Sequence, residues 1–392
     1  MTNLSGTPGK TAGPAAQPRR TDDPVGIYIH VPFCASKCGY CDFYSRVRQD
    51  QKAGYLAALG EEIRSYKGQG IPVDTIFFGG GTPSVLSPDE IGGILAALRE
   101  SFTLLPEGEW TMEANPETVS PGYLQAVRAL GINRLSYGVQ SGVDRELRAL
   151  GRRHTFARAA EAVKEAREAG FKNLSLDLML GIPYQTADSL RETLEKILAL
   201  HPDHLSCYLL KIEPGTPFAR RHAETDCPSD DEAADFYLTV CETLRAAGFT
   251  HYEISNFARP GYESRHNRKY WRDTPYIGFG PAAHSCFGGK RFYNPADLAL
   301  YIEKGGAVSA VEDDGSCGGY TERLMLGLRL AEGVSLSEIA ALDPAFTPEE
   351  QAAFAARCAP YIRAGLMERK DGRIAITEKG MLVSNGLLAE IL

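Results

Sequence analysis

An α/β fold built on a parallel sheet is predicted by two features of the chain. Short apolar runs alternate with longer amphipathic runs from about residue 25 to residue 251. The apolar runs are rich in β-branched and aromatic residues and lack polar alternation, as expected of strands buried on both faces. Strands that alternate with helices in series favour parallel βαβ units. Periodicity alone does not distinguish an open doubly wound sheet from a whole or partial barrel.

The expected strands are six apolar runs, which in order are GIYIHV (26–31), DTIFFGG (74–80), EWTMEAN (109–115), NRLSYGV (133–139), NLSLDLML (173–180) and HLSCYLL (204–210). The helices between them carry start and stop signals. Ser87-Pro88-Asp89-Glu90 is a capping box with proline at the first helical position, and Ser120-Pro121 opens another helix. Gly170 and Gly248 follow the helical runs and are suitable C-terminal stops.

A second, smaller domain is expected near the C-terminus. Three helical runs, near residues 320–331, 335–342 and 347–364, precede a strong hairpin signal at Asp371-Gly372. Three helices and a small hairpin predict a winged-helix-like α+β domain. The predicted division of the chain is a disordered N-terminus (1–24), an α/β domain (25–305), and a linker with the C-terminal domain (306–392).

The charge composition of the chain disfavours a nucleic-acid-binding protein. The chain has 392 residues and a net charge of −8, and its C-terminal part carries as much acid as base. Phosphate contacts need lysine and arginine, so a nucleic-acid partner is disfavoured and the C-terminal domain is expected to act as a lid or docking module.

No apolar run is long enough for a membrane span, and the N-terminus lacks the apolar core of a secretory signal. A cytoplasmic location is expected, where nine cysteines are metal ligands or core thiols rather than disulfides.

Three of these cysteines crowd into eight residues directly after the first strand, in the pattern Cys34-x3-Cys38-x2-Cys41. Iron–sulfur clusters are held by cysteine thiolates, usually four, so three thiolates leave one iron of a [4Fe–4S] cluster open to another ligand. The alternative is a structural zinc site with His30 as the fourth ligand. Closed zinc sites usually consist of two separated ligand pairs, which are not evident here.

The segment Tyr28-Ile-His-Val-Pro-Phe-Cys34-x3-Cys38-x-Tyr40-Cys41-Asp-Phe-Tyr resembles the radical S-adenosylmethionine (SAM) superfamily. Within it, the chain is similar to the oxygen-independent coproporphyrinogen III oxidase-like family and to that family's haem-chaperone branch. The further motifs that carry the resemblance are GGGTPS (79–84), ME-x-NPE (112–117), R-x-S-x-GVQS (134–141), DLMLGIP (177–183), Y-x3-IEPGTP (208–217), YEISNFA (252–258), HN-x2-YW (266–271) and GFGP-x-AHS (278–285).

The resemblance implies a partial (β/α)6 barrel of the TIM type that holds the cluster at its mouth, with SAM chelating the open iron. The residues at the family's SAM-contact positions are Tyr28, Tyr40, Gly80, Gly81, Thr82, Glu113, Gln140, Arg152 and Asp177. Glycine permits the backbone to approach a ligand closely, and the carboxylate of Glu113 can accept hydrogen bonds from ribose hydroxyls. Two alternatives to SAM contact stay open. Arg152 could be a surface charge, and Tyr40 could be a packing residue over the cluster.

One departure bears on function. The true oxidase carries a fourth cysteine two residues after the third, and Phe43 stands there in this chain. The resemblance therefore implies a haem chaperone that binds haem and passes it to an acceptor protein, with His266 as a candidate haem ligand beside Tyr270 and Trp271. The alternatives are a core histidine at position 266, and a genuine oxidase or other radical SAM oxidoreductase. Cleavage of SAM, which needs an electron donor, is left open.

Overall fold

The computed structural model describes residues 23–306 and 317–392. The predicted disorder of the N-terminus falls almost wholly outside the described residues, as does most of the predicted linker. Within the described ranges, no helix is both long and apolar enough to cross a membrane.

Thirteen strands are present in the described ranges, and eleven of them form one sheet in the order β11-β10-β9-β1-β2-β3-β4-β5-β6-β8-β7. Strands β1 to β6 are all parallel, and β9 pairs in parallel with β1. The strand bounds are β1 Val25–Val31, β2 Pro72–Gly80, β3 Thr103–Ala114, β4 Arg134–Gln140, β5 Asn173–Leu180, β6 His204–Leu209, β7 Thr250–Glu253, β8 Asn256–Ala258, β9 Tyr276–Phe279, β10 His284–Phe287, β11 Lys290–Tyr293, β12 Met367–Lys370 and β13 Arg373–Ile376.

Helices connect the parallel strands and cover the outer face of the sheet. Their bounds are α1 Lys52–Arg64, α2 Pro88–Ser101, α3 Pro121–Leu130, α4 Asp144–Leu150, α5 Phe156–Glu168, α6 Ala187–Leu198, α7 Pro217–Arg220, α8 Asp230–Ala246, α9 Arg265–Trp271, α10 Leu298–Glu303, α11 Tyr320–Gly327, α12 Leu336–Leu342, α13 Pro348–Arg363, α14 Glu378–Met381 and α15 Ser384–Ile391.

The predicted α/β class and the partial (β/α)6 barrel are confirmed. All six predicted strands are present, and β3 begins six residues earlier than expected, at Thr103. The other five lie within about two residues of their expected bounds. Buried β-branched and aromatic runs are typical of strands covered on both faces. The capping box at Ser87 forms as predicted, with the side chains of Ser87 and Glu90 each accepting a backbone N–H. Gly170 and Gly248 both adopt positive φ directly after their helices.

The five short strands β7 to β11 were not predicted from the sequence. Each has only three or four residues, too few to show a period. They exist because the edges of the parallel sheet offer unpaired backbone groups. Strand β9 pairs with β1 at one edge, and β8 pairs antiparallel with β6 at the other. The sheet is thereby extended on both sides of the six-stranded core.

Helix α9 packs against the amino-terminal ends of β1 and β2 on the inner face of the sheet. Lys269 of this helix donates to the carbonyl of Pro24 at 2.8 Å and pairs with Asp74 at 2.8 Å. Glu109 accepts the backbone N–H groups of Arg265 and His266 at the start of the helix. With this end of the barrel filled, the interior opens at the carboxyl end of the strands.

The C-terminal elements have the predicted order of three helices followed by a hairpin. Strands β12 and β13 pair antiparallel, and the hairpin turn is Asp371-Gly372, both with positive φ. Val334 exchanges two backbone hydrogen bonds with Ile374, which adds a short third strand position to the hairpin. The two parts of the chain meet through backbone bonds from Ile254 to Arg329 and through a buried ion pair between Arg323 and Asp273 at 3.1 Å.

Glu62 on α1 joins three elements at the edge of the barrel. Its carboxylate accepts from the backbone N–H of Gly280 at 3.0 Å, from Asn294 at 2.7 Å and from the hydroxyl of Tyr301 at 2.6 Å. Burial raises the pKa of Glu62 to about 7 even though all three donors lower it. This carboxylate therefore sets how the segment after β9 folds back over α1.

We expect Glu62→Ala to lower the free energy of unfolding by about 3 kcal/mol, because it leaves three buried donors without an acceptor. Urea unfolding of the anaerobically purified protein measures the effect. The matched control is Glu61→Ala on the same helix, where an exposed carboxylate 3.6 Å from Arg64 should contribute no more than about 0.5 kcal/mol. Equal effects of the two substitutions would contradict this role for Glu62.

Candidate functional site

A cavity of about 490 Å3 opens at the carboxyl ends of the parallel strands. The structure brings the predicted cluster cysteines and eight of the nine predicted SAM-contact residues to its wall. These lining residues are Cys34, Cys38, Cys41, Tyr40, Gly80, Gly81, Thr82, Glu113, Gln140, Arg152 and Asp177. The convergence follows from the parallel topology, which places the ends of all six strands at one edge.

The cysteine loop is tied down at both of its ends. The backbone N–H of Cys34 donates to the carbonyl of Arg46 at 2.9 Å, and that of Arg46 donates to Pro32 at 2.9 Å. The hydroxyl of Thr82 lies 3.5 Å from the Cys34 sulfur, in hydrogen-bonding position. Cys34 is buried, whereas Cys38 and Cys41 are half-buried at the cavity. All three thiols therefore face one space from a single loop.

His30, the fourth ligand of the zinc alternative, is engaged elsewhere. Its Nε2 lies 2.9 Å from the carbonyl of Tyr44, and its Nδ1 lies 3.2 Å from the hydroxyl of Tyr28. Burial lowers the pKa of His30, so the ring is neutral at physiological pH. With both ring nitrogens occupied, this histidine does not complete a four-ligand site with the three cysteines in this structure.

The glycine turn after β2 passes directly under the cysteine loop. Gly81 donates its backbone N–H to Val31 at 2.8 Å, and Thr82 donates to Phe33 at 2.7 Å. A Cβ atom on Gly81 would lie 2.5 Å from the carbonyl oxygen of Phe33, a contact that no side chain tolerates. Gly80 has a φ of +102°, a conformation that favours glycine. The backbone of this turn is thus the wall of the cavity itself.

Arg152 reaches the cavity from the segment after α4. One nitrogen, Nη1, lies 3.7 Å from the Cys38 sulfur, and the other, Nη2, donates to Asn115 Oδ1 and to the carbonyl of Gly138, each at 2.5 Å. In the part of the chain that the structure describes, Nε of Arg152 is buried without a hydrogen-bond partner. The guanidinium is therefore an inward-facing cation beside one of the three thiols, which argues against the alternative of a surface charge.

Gln140 ends β4 with a φ of 72° in the left-handed region, which is uncommon for a residue with a side chain. Its Oε1 accepts a hydrogen bond from the hydroxyl of Tyr208 at 3.2 Å. Such a conformation costs on the order of 1–3 kcal/mol and is found mainly where the surroundings enforce it for a ligand. Here it turns the Gln140 side chain toward the cavity.

Two buried carboxyl groups lie deeper in the cavity. Burial and the neighbouring Asp177 raise the pKa of Glu113 to about 8, despite the Gly80 backbone and Arg134, which lower it. Burial also raises the pKa of Asp177 to about 6, against a hydrogen bond from Ser136 at 3.0 Å. Both carboxyl groups are therefore protonated more readily than an exposed carboxyl group, and Glu113 more readily than Asp177. The pair offers both a donor and acceptors to hydroxyl groups of a ligand.

Tyr28 and His266 lie outside the cavity wall. Tyr28 packs beside Gly79 and donates toward His30, one layer behind the lining residues. His266 is fully buried, with its Nδ1 2.8 Å from Thr75 Oγ1 and its Nε2 2.8 Å from the Tyr270 hydroxyl. Its ring stacks on Phe77, which does line the cavity. Burial lowers the pKa of His266 to about 3, so the ring is neutral.

Asn115, Arg134 and Tyr208 line the cavity although no role was predicted for them. Asn115 links Arg152 to Thr82 Oγ1, which it contacts at 3.2 Å, and Arg134 is only 2% exposed. All three fall within motifs of the resemblance. The signal that could have found Arg134 is the two-residue alternation of β4, which places it on the same face as Ser136.

The donor set at the cavity fits an iron–sulfur cluster. Three thiols from one loop, a neighbouring cation and a backbone turn with no room for side chains enclose a space with further polar groups on its far side. Polar and apolar groups are both present, as the mixed chemistry of SAM requires: carboxyl and amide groups from Glu113, Asp177 and Gln140, and apolar surface from Met179 and Ala114.

Two family models match the chain. The radical SAM superfamily matches residues 28–197, and the HemN C-terminal domain matches residues 320–383. Among solved structures, coproporphyrinogen III oxidase (HemN) from Escherichia coli, described as a radical SAM enzyme, superposes with a TM-score of 0.81. The two chains are 27% identical in sequence, and the match covers 95% of this chain and 91% of the HemN chain.

Curated relatives are similar to this chain over two thirds of its length or more. The heme chaperone HemW of Mycobacterium tuberculosis (strain ATCC 25618 / H37Rv) is 36% identical over 382 residues, which cover 94% of this chain and 95% of that protein. The heme chaperone HemW of Synechocystis is 38% identical over 341 residues, covering 82% and 81% of the two chains. That of Escherichia coli (strain K12) is 41% identical over 266 residues, covering 67% and 70%. The chain therefore belongs to the HemW family of the radical SAM superfamily.

Proposed function

We propose that this protein is a haem chaperone, which binds haem and transfers it to an acceptor protein on a radical SAM scaffold. The names of its full-length relatives support the proposal. We further place its work in the cytoplasm, since none of the nine cysteines, all of which the structure describes, forms a disulfide, as is usual in a reducing compartment. The proposal requires a haem-acceptor protein as a partner. It also allows an electron donor, which cleavage of SAM would need.

Membership of the radical SAM superfamily implies a [4Fe–4S] cluster and SAM. In our proposal Cys34, Cys38 and Cys41 hold the cluster, whose remaining iron supplies a coordination site for the amino and carboxylate groups of SAM. Gly80, Gly81 and Thr82 line the space for the methionine end. Glu113 and Asp177 hydrogen-bond hydroxyl groups, and Gln140 supplies an amide. Tyr40 packs beside Phe218 at the same loop, with ring centroids 6.1 Å apart.

The observation that carries haem binding is an exposed apolar rim at the cavity mouth. Phe43 is 68% exposed and Leu209 is 38% exposed, and both line the opening. Exposed apolar side chains at the mouth of a cavity offer contact surface to an apolar partner. A macrocycle laid on this rim would cover both side chains and stay accessible to a second protein, which a transfer function requires.

The rim also carries cations suited to the two propionates of haem. Lys37 lies at the opening and donates to the carbonyl of Phe43 at 3.3 Å. Lys211 is also a lining residue and pairs with Glu213 at 2.6 Å. Ammonium groups beside an exposed aromatic ring match a flat apolar ligand with anionic edges.

His266 as a haem ligand stays a prediction. In this structure both ring nitrogens are hydrogen-bonded, so coordination requires the ring to leave Thr75 and Tyr270. Asn267, the next residue of α9, lines the cavity, and Phe77 connects the His266 ring to the same wall. A shift of α9 would therefore be needed to bring a ring nitrogen to the opening.

The alternative is an oxygen-independent oxidase, and the similarity to HemN makes it worth a direct test. Phe43 argues against it, because the position of the oxidase's fourth cysteine is occupied here by a phenyl ring that faces solvent. An exposed ring at this position extends the apolar rim and supplies no thiol.

We expect Arg152→Gln to lower the reduction potential of the cluster by several tens of millivolts, because it removes a positive charge beside the Cys38 sulfur. About 1 kcal/mol of lost interaction corresponds to ~40 mV for one electron. An anaerobic redox titration followed by electron paramagnetic resonance measures the shift. Arg153→Gln at the exposed neighbouring position is the control and should leave the potential unchanged. An unchanged potential in both variants would show that Arg152 does not interact with the cluster.

We expect the protein to bind hemin, and Phe43→Ser to weaken the affinity about tenfold through lost apolar contact. Leu342→Ser, which alters a comparably exposed side chain on α12, is the matched control and should bind hemin as wild type does. Absorbance titration of the Soret band reports both affinities. Absence of hemin binding by the wild-type protein would contradict the proposal. Equal binding by the two variants would show that the apolar rim takes no part in hemin binding.

In the same titration, His266→Ala should lose the spectrum of a histidine-ligated haem, and an unaltered spectrum would exclude His266 as the ligand.

We also expect that the reconstituted protein does not convert coproporphyrinogen III to protoporphyrinogen IX, because no thiol stands at position 43. Chromatography of the porphyrins after anaerobic incubation with SAM and a reductant measures this, with 5′-deoxyadenosine quantified in parallel. Sustained product formation, or deoxyadenosine release that depends on the porphyrinogen, would favour the oxidase instead.

A further inference from the structure

A second group of metal-ligand side chains lies far from the cysteine loop, where the barrel meets the C-terminal elements. Cys241 comes from α8, His251 from β7 and Glu378 from α14. One ligand atom from each lies within 4.8 Å of the other two. Thiol, imidazole and carboxylate are the three donor types that zinc uses in proteins.

Burial of the group is graded from one side to the other. Cys241 is only 2% exposed, the side chain of His251 is 8% exposed and that of Glu378 is 31% exposed. An ion held by these three groups would lie against the protein on the thiol side and face solvent on the carboxylate side. Entry of an ion needs no opening of the core, because Glu378 is the outermost ligand.

His251 is oriented for coordination through Nδ1. Its ring stacks on Phe257 with centroids 4.3 Å apart and an interplanar angle of 13°. Its Nε2 lies 3.5 Å from the hydroxyl of Tyr237, so that nitrogen has a partner outside the group. A second-shell partner of this kind fixes the tautomer and the plane of a ligating histidine.

The distance between His251 and Glu378 suits a shared ion better than a direct bond. Nδ1 and Oε1 are 3.7 Å apart, longer than a hydrogen bond. Nitrogen and oxygen ligands of one tetrahedral zinc, each about 2.0–2.1 Å from the metal, are separated by roughly 3.4 Å. A small movement of either side chain closes this difference.

Arg245 also contacts the carboxylate of Glu378. Ligating carboxylates are commonly held by outer hydrogen bonds, and this one would fix the orientation of the Glu378 group. Arg245 is itself 61% exposed, so its side chain can give way on the solvent side. Because Arg245 contacts both carboxylate oxygens, an ion bound to Oε1 would replace one of these two contacts, and the other would still orient the Glu378 carboxylate.

We propose that Cys241, His251 and Glu378 bind one Zn²⁺ ion, with solvent water in the fourth position. Binding breaks the S–H bond of Cys241, whose proton passes to solvent, and forms a zinc–thiolate bond without any change of oxidation state. The ion links α8 and β7 of the barrel to α14 of the C-terminal elements. It is a structural clamp, separate from the cluster and from the haem rim.

Zinc retention by the cluster-loaded protein tests this site. Anaerobically purified protein with its iron content verified is stripped with EDTA, dialysed against ZnCl₂ and analysed for zinc and iron per chain. We expect about one zinc per wild-type chain, and an affinity at least tenfold lower in Glu378→Gln and in His251→Asn. Cys227→Ser is the matched control and should retain zinc as wild type does, because that half-buried thiol lies on another segment.

Cadmium nuclear magnetic resonance separates this site from adventitious binding at vacant cluster cysteines. A ¹¹³Cd shift that indicates one sulfur ligand supports the proposal, whereas a shift typical of three sulfur ligands overturns it. Wild-type protein that retains no zinc also overturns it, as does Glu378→Gln protein that binds zinc like wild type. Glu378 is partly exposed, so circular dichroism and iron content should show that this variant folds.

Discussion

The site depends on the close crossing of two backbone segments, the end of β1 and the turn after β2. Gly81 and Thr82 donate their N–H groups to carbonyls on either side of Pro32, which places the start of the cysteine loop on the glycine turn. A Cβ atom at Gly81 would meet two carbonyl oxygens at 2.5 and 2.8 Å, so the crossing exists only because that residue is glycine. The position of Cys34, and with it the mouth of the cavity, follows from this contact.

The interior behind that crossing is unusually polar for a barrel. Register places inward residues of neighbouring strands side by side, so that Glu113 pairs with Ser136 and Asp177 with Ser206. Arg134 lies among them and lowers the pKa of both carboxyl groups against the larger effect of burial. Groups held this far from their usual pKa are expected where a ligand is to be bound rather than where only packing is needed. The polar interior and the apolar rim therefore serve different parts of the proposed function.

Similarity of fold does not by itself decide between an oxidase and a chaperone. The superposition with HemN covers nearly the whole chain, yet sequence identity is 27%. At the mouth, Phe43 stands where the family resemblance places the oxidase's fourth cysteine, and it extends an apolar surface toward solvent. In our proposal that surface decides what the protein binds, since a hydrophobic rim favours a macrocycle that must later be released to another protein.

The sequence by itself determined the six strands of the parallel sheet, the caps of several helices and the identity of the three clustered cysteines. Those features are local, because they depend on hydrophobic period, capping residues and spacing within one segment. Tertiary structure alone decided that Arg152 lies beside Cys38, that Asn115 connects it to Thr82, and that His266 is buried between Thr75 and Tyr270. Apart from His266 and Tyr270, which both lie in α9, these contacts join residues that are 33 to 191 positions apart in the chain. No period or motif records such distances, because they are set by how the strands register and how α9 packs across them.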